Sequence, residues 1–76
     1  MSILGKDNMT FKEKVLYDTR NYKEGDHWRF QHQAHTYAKL SMEYPIFLEN
    51  MFDLCAEGYF EPIQEGSVFH FKILKK

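Results

Sequence analysis

The chain is poor in everything that would anchor it in a bilayer or staple it covalently. One cysteine, Cys55, among 76 residues excludes an internal disulfide and points to a reducing compartment. The longest apolar run, Tyr44 to Leu48, is far below the ~18 residues a membrane span needs, and no stretch reads as a signal peptide. The expectation is a cytoplasmic protein without membrane contact. Two prolines and four glycines leave no room for a linker, and no repeat or low-complexity tract occurs. Residues 1–9 are then expected to be a flexible arm, and residues 10–76 a single domain. The most informative lack is of basic charge: from Ser41 to Phe71 there is no Lys or Arg against six acidic residues.

What is abundant is aromatic surface. Seven Phe, five Tyr and one Trp suffice for a small core, since each buried ring removes about 150–250 Å² from water. A chain of this length buries only about 60–65% of its unfolded surface, so that core must be compact. The formal net charge of −1 conceals an uneven distribution. Residues 1–40 carry seven basic and five acidic groups, residues 41–71 carry only the six acids, and Lys72, Lys75 and Lys76 close the chain. A charge block of this kind bears on partners more than on fold.

Thr10-Phe11-Lys12-Glu13 is a capping box, so a helix starts there. Phe11, Val15, Thr19 and Tyr22, with Leu16 beside them, fall on one side at 100° per residue. Asn21 to Gly25 interrupts it, and Asp26 suits the N-cap of a second helix reaching about Leu40. On that helix Phe30, Ala34, Tyr37, Ala38 and Leu40 form one side, the better core candidate. Trp28, His32, His35 and Lys39 form the other, with Trp28 left open between core and surface. A third helix is expected from Pro45, where the missing amide is not needed, to Gly58, which suits the left-handed residue past its end. Phe47, Leu48, Met51, Phe52, Leu54 and Cys55 occupy its apolar side. After Gly58 the period changes to alternation: Tyr59 to Ile63, a Gln64-Glu65-Gly66 turn and Ser67 to Leu74 read as a β-hairpin, with Phe69, Phe71 and Ile73 on one face and Val68, His70 and Lys72 on the other. The fold class is α+β, about three helices followed by a C-terminal β-hairpin.

This order, with the Gly58-Tyr59-Phe60 junction, resembles the winged helix-turn-helix family over roughly Asp26 to Leu74. The resemblance implies a third helix laid in the DNA major groove, here Pro45 to Glu57. The outward residues of that helix are Glu43, Ile46, Glu49, Asn50, Asp53 and Glu57. Only Asn50 suits base recognition, and duplex affinity comes largely from Lys and Arg neutralising phosphates. Nucleic acid is therefore the disfavoured partner.

The residues point instead to a protein partner with a basic surface. Glu49, Asp53 and Glu57 repeat at four-residue spacing, with Ile46 as an apolar contact among them and Asn50 alongside. Trp28, His32 and His35 could supply a second contact stripe. His27, His32 and His35 lack the spacing and a fourth ligand for zinc, Cys55 falls on an apolar side without an assignable base, and no phosphate loop or hydrolase elbow occurs. No catalytic, metal or cofactor site is expected. The sequence reading is thus a non-enzymatic regulator or inhibitor acting through an acidic helix face, of the kind phages and mobile elements encode. A winged-helix DNA-binding transcriptional regulator, contacting DNA through helix 2 or the wing, is the alternative. Oligomeric state is left open, a dimer included.

Overall fold

The computed structural model describes residues 9–74; residues 1–8 of the arm expected at 1–9, and the tail Lys75 and Lys76, lie outside the described residues. The elements run α1 (Phe11–Asp18), β1 (His27–Trp28), α2 (Phe30–Lys39), α3 (Tyr44–Ala56), β2 (Phe60–Glu65) and β3 (Val68–Ile73). This is an α+β fold of three helices and a three-stranded antiparallel sheet in the order β1-β3-β2.

Local chemistry accounts for most boundaries. The capping box forms as expected: the Glu13 amide donates to Thr10 Oγ1 and the Thr10 amide to Glu13 Oε1. Pro45 lies in the first turn of α3. At its end Gly58 has φ +93°, and the Gly58 and Tyr59 amides return to the carbonyls of Cys55 and Leu54, which satisfies the last turn. The end of α2 closes in the same way, with Ser41 at φ +52° and bonds from Ser41 and Met42 to Ala38 and Tyr37. There a residue with a Cβ takes the left-handed conformation, at a cost that glycine would avoid.

The hairpin turn is tighter than expected. Glu65 pairs with Val68, so the loop is Gly66-Ser67 rather than Gln64-Glu65-Gly66. Gly66 at φ +62° is the first central residue of a two-residue turn, where a positive φ matches the twist of the strands. Leu74 donates to Tyr59, so alternate residues of β2 turn their backbone groups away from β3, and Pro62 is one of them. Its missing amide blunts the outer edge of the sheet.

The second helix departs from expectation. It begins at Phe30, and Asp26 does not cap it: its carboxylate accepts from the Lys23 amide, while the N-cap is Arg29 with no side-chain bond. The cause is pairing of His27 and Trp28 with Lys72 and Phe71, which gives the backbone a partner that a longer helix would forfeit. Trp28 thereby becomes 1% exposed, which decides for the core a position the sequence leaves open and removes Trp28 from the contact stripe with His32 and His35. The buried positions of α2 are Gln33 and Thr36. Phe30, Ala34, Tyr37 and Leu40 are only partly buried, and Ala38 is exposed.

Thr36 is turned inward to donate to the Asp18 carboxylate, and Gln33 is buried because β1 is only two residues long. Beyond it the backbone of Phe69 has no strand alongside. Gln33 Nε2 donates to the carbonyls of Trp28 (2.7 Å) and Phe69 (3.2 Å), and the Tyr44 hydroxyl accepts from the Phe69 amide and donates to its carbonyl. Side chains thus do what a longer strand would do. Gln33 Oε1 is left without a partner among the described residues.

The core consists of Val15, Trp28, Phe47, Met51, Leu54, Phe60, Phe71 and Ile73. Phe47 is its hub, with ring centroids of Phe11, Trp28, Tyr37 and Tyr44 at 5.5, 6.1, 5.3 and 6.0 Å. On the other face of β3, which His70 shares with Val68 and Lys72, His70 is only 4% exposed. The His27 ring lies 4.9 Å away, and Nδ1 of His70 is 2.9 Å from Glu65 Oε1.

Candidate functional site

The outer face of α3 is formed by the helical repeat. With Phe47, Met51 and Leu54 buried, Ile46, Glu49, Asp53 and Glu57 are turned outward and exposed, as the sequence predicts. Ile46 keeps 49% of its surface in water at the N-terminal end of this row, one turn before Glu49. Phe52, 38% exposed, rests edge-on against Phe69 at 5.2 Å and is anchored to the sheet.

The expected site residues are not equally available. Asn50 is partly buried, and its amide donates to the Ile46 carbonyl at 3.1 Å and lies 3.8 Å from Met42 Sδ, so it is folded back on its own helix. Glu57 is held by Lys12 Nζ at 3.1 Å. Lys12 also lies 4.7 Å over the Tyr59 ring, and hydrogen bonding to Tyr59, then to Glu57, raises its pKa above the ordinary value. The C-terminal end of the acidic face is therefore neutralised from α1. Glu49 and Asp53 have no ion pair among the described residues, and they carry the uncompensated charge.

No protein-family model, curated protein or solved structure matches this chain. The site is therefore read from its chemistry alone. Burial raises the Cys55 thiol to about 11, which holds it protonated at neutral pH. Among the described residues no group of three or more His, Cys, Asp and Glu side chains could hold a metal ion, and none of their helices is long and apolar enough to cross a membrane. His27 sits on β1 beside His70, apart from His32 and His35 on α2.

His32 and His35 are exposed and border a furrow between α1 and α2 that sequence reasoning missed. One part, about 440 Å³, is lined by Lys14, Tyr17, Asp18, Arg20, His35, Lys39 and Leu40. Trp28 closes the floor of the adjoining part instead of offering a contact. The surplus of basic residues before Leu40 was the available signal. Which of them meet depended on how the two helices cross.

Proposed function

We propose that this chain is a small non-enzymatic regulator or inhibitor that docks on a basic surface of a larger protein through the outer face of α3. The observation that carries this reading is the exposure of Ile46 on the same outer face as the unpaired carboxylates of Glu49 and Asp53, one and two turns further along α3. An apolar anchor beside uncompensated charge gives both desolvated contact area and steering toward a cationic partner. Repulsion along the helix is tolerated there, and the only neutralised member, Glu57, lies at the edge. Cytoplasmic location and a phage or mobile-element origin belong to the same proposal.

The test is capture by the immobilised protein, with cross-links mapped onto residues 46–57. Glu49→Lys with Asp53→Lys should abolish capture while the far-ultraviolet helical signal persists. Capture that survives the double reversal removes the acidic face from the account.

A winged-helix DNA-binding regulator is the second reading, favoured by one observation: a strand between the first two helices pairs with the last, giving the order β1-β3-β2. Charge weighs against it. Arg29 is engaged by Glu65 at 2.9 Å, and Lys39 lies at the far end of α2, about 15 Å along the helix axis. Titration of labelled duplex at about 50 mM salt, read by fluorescence anisotropy, separates the readings: binding that weakens steeply with salt would put DNA first.

A further inference from the structure

The furrow between α1 and α2 has charged side chains arranged along its lining. Asp18 lies within it, but its charge is spent. One carboxylate oxygen accepts from Lys14 Nζ at 3.0 Å, with both side chains largely buried, and the other accepts from Thr36 Oγ1. Of the cations, Lys14 is thereby matched, while Arg20 and Lys39 have no carboxylate partner among the described residues. The lining formed by Lys14, Arg20, Lys39 and Asp18 carries a net +2, with His35 beside it.

Of the two unmatched cations, Arg20 is held in position. The Arg20 guanidinium stacks on the Tyr17 ring at 4.0 Å, and Nη1 donates to the Tyr17 carbonyl at 2.8 Å. One edge is thus tethered and the remaining N–H groups stay free in a fixed plane, the geometry that favours two-point recognition of a phosphate. His35 and Lys39 are one turn apart on α2 and face the same way. A second space of about 320 Å³ continues past Arg20 and His35, lined also by Tyr22, Gln31 and His32. Together the two have the size of an ordinary small-ligand site, with the cations at one end and aromatic and amide groups at the other.

We infer that this furrow binds a phosphate-bearing small molecule of nucleotide size, with its phosphate held by Arg20, His35 and Lys39 and its organic part lying toward Tyr22 and His32. The site is separate from the acidic face of α3 and does not depend on the docking function proposed for that face.

The experiment is an NMR titration of the full, ¹⁵N-labelled chain with adenosine monophosphate, ionic strength held constant with sodium chloride and adenosine run as the neutral control. Saturable shifts are expected at residues 14, 20, 35 and 39, with none from adenosine. Arg20→Gln and Lys39→Gln should each weaken the nucleotide about tenfold, a loss of about 1.4 kcal/mol. Glu49→Lys should leave the titration unchanged. Lys39 is exposed at a helix end, so its variant stays folded if the Arg20 variant does not. Absence of saturation by about 20 mM, a level corresponding to about 2.3 kcal/mol of binding, would overturn the inference. So would shifts spread equally over Lys23 and Lys72, or affinity indifferent to the Lys39 substitution.

Discussion

Asp53→Lys should make this protein more stable. Asp53 is exposed on α3, four residues from both Glu49 and Glu57, in a last turn that contains no basic residue. Like charges at this spacing each cost about 0.2–0.5 kcal/mol, and opposite charges return a similar amount. Reversing the charge removes two repulsions and creates an attraction with Glu49, in the favourable order of Glu before Lys. The repulsion from Glu57 is counted only at the low end of that range and no attraction to it is counted, because Lys12 already engages it. A cation in the last turn adds about 0.3 kcal/mol or more from the helix dipole. With allowance for non-additivity the sum is roughly 1–1.5 kcal/mol. At about 4–8 °C per kcal/mol for a domain of this size, Tm should rise by roughly 4–12 °C. Thermal unfolding followed by circular dichroism at low salt measures it. The gain should shrink near 1 M salt, where the screening length falls to about 3 Å. The same variant should lose partner capture, because a face that carries repulsion in the folded protein is held for something other than stability. A Tm that is unchanged or lower at low salt would refute the argument.

Three other outcomes are expected. Phe47→Ala removes the hub of the aromatic core and should cost about 3–5 kcal/mol, a large part of the 5–15 kcal/mol typical of a whole domain; denaturant unfolding measures it, and a loss below about 1 kcal/mol would contradict the packing described. Cys55, its thiol raised from 9.0 to about 11 by burial, should present about 100-fold less thiolate near pH 8 than an unshifted thiol. Disulfide-reagent kinetics should therefore be slow in buffer and fast in guanidinium, and equal rates would disprove the burial. At Glu65 partial desolvation works to raise the carboxyl, but His70 and Arg29 outweigh it and hold it below the ordinary 4.5. A carboxyl lowered on folding adds stability that is fully present above the ordinary value and lost as pH falls through the lowered one. Wild-type Tm should therefore drop more steeply than that of Glu65→Gln as pH falls below about 4.5; parallel curves would count against the Glu65–His70–Arg29 cluster.

Wherever structure was set by neighbours a few residues apart, it was legible in the chain. The capping box at Thr10, the proline start and glycine end of α3, and the change of period after Gly58 are local devices, and each stands where the sequence predicts. The acidic face was equally legible, because spacing by four on a helix settles which side chains share a surface once Phe47, Met51 and Leu54 mark the buried side. Expectation failed around residues 26–30. Asp26 is a good N-cap by type, but backbone pairing of His27 and Trp28 with Lys72 and Phe71 and burial of an indole outweigh one cap.

The sequence by itself determined three helices, a hairpin and a carboxylate stripe, because short-range hydrogen bonds and periodicity encode them without reference to the rest of the chain. The tertiary structure alone decided that Trp28 is core, that α2 turns Gln33 inward to complete the backbone of β3 and Thr36 inward to meet Asp18, and that Arg20, His35 and Lys39 meet around one furrow. Each of these depends on segments far apart in sequence being brought together by burial of a shared aromatic core, and no local pattern specifies which distant partner that burial selects.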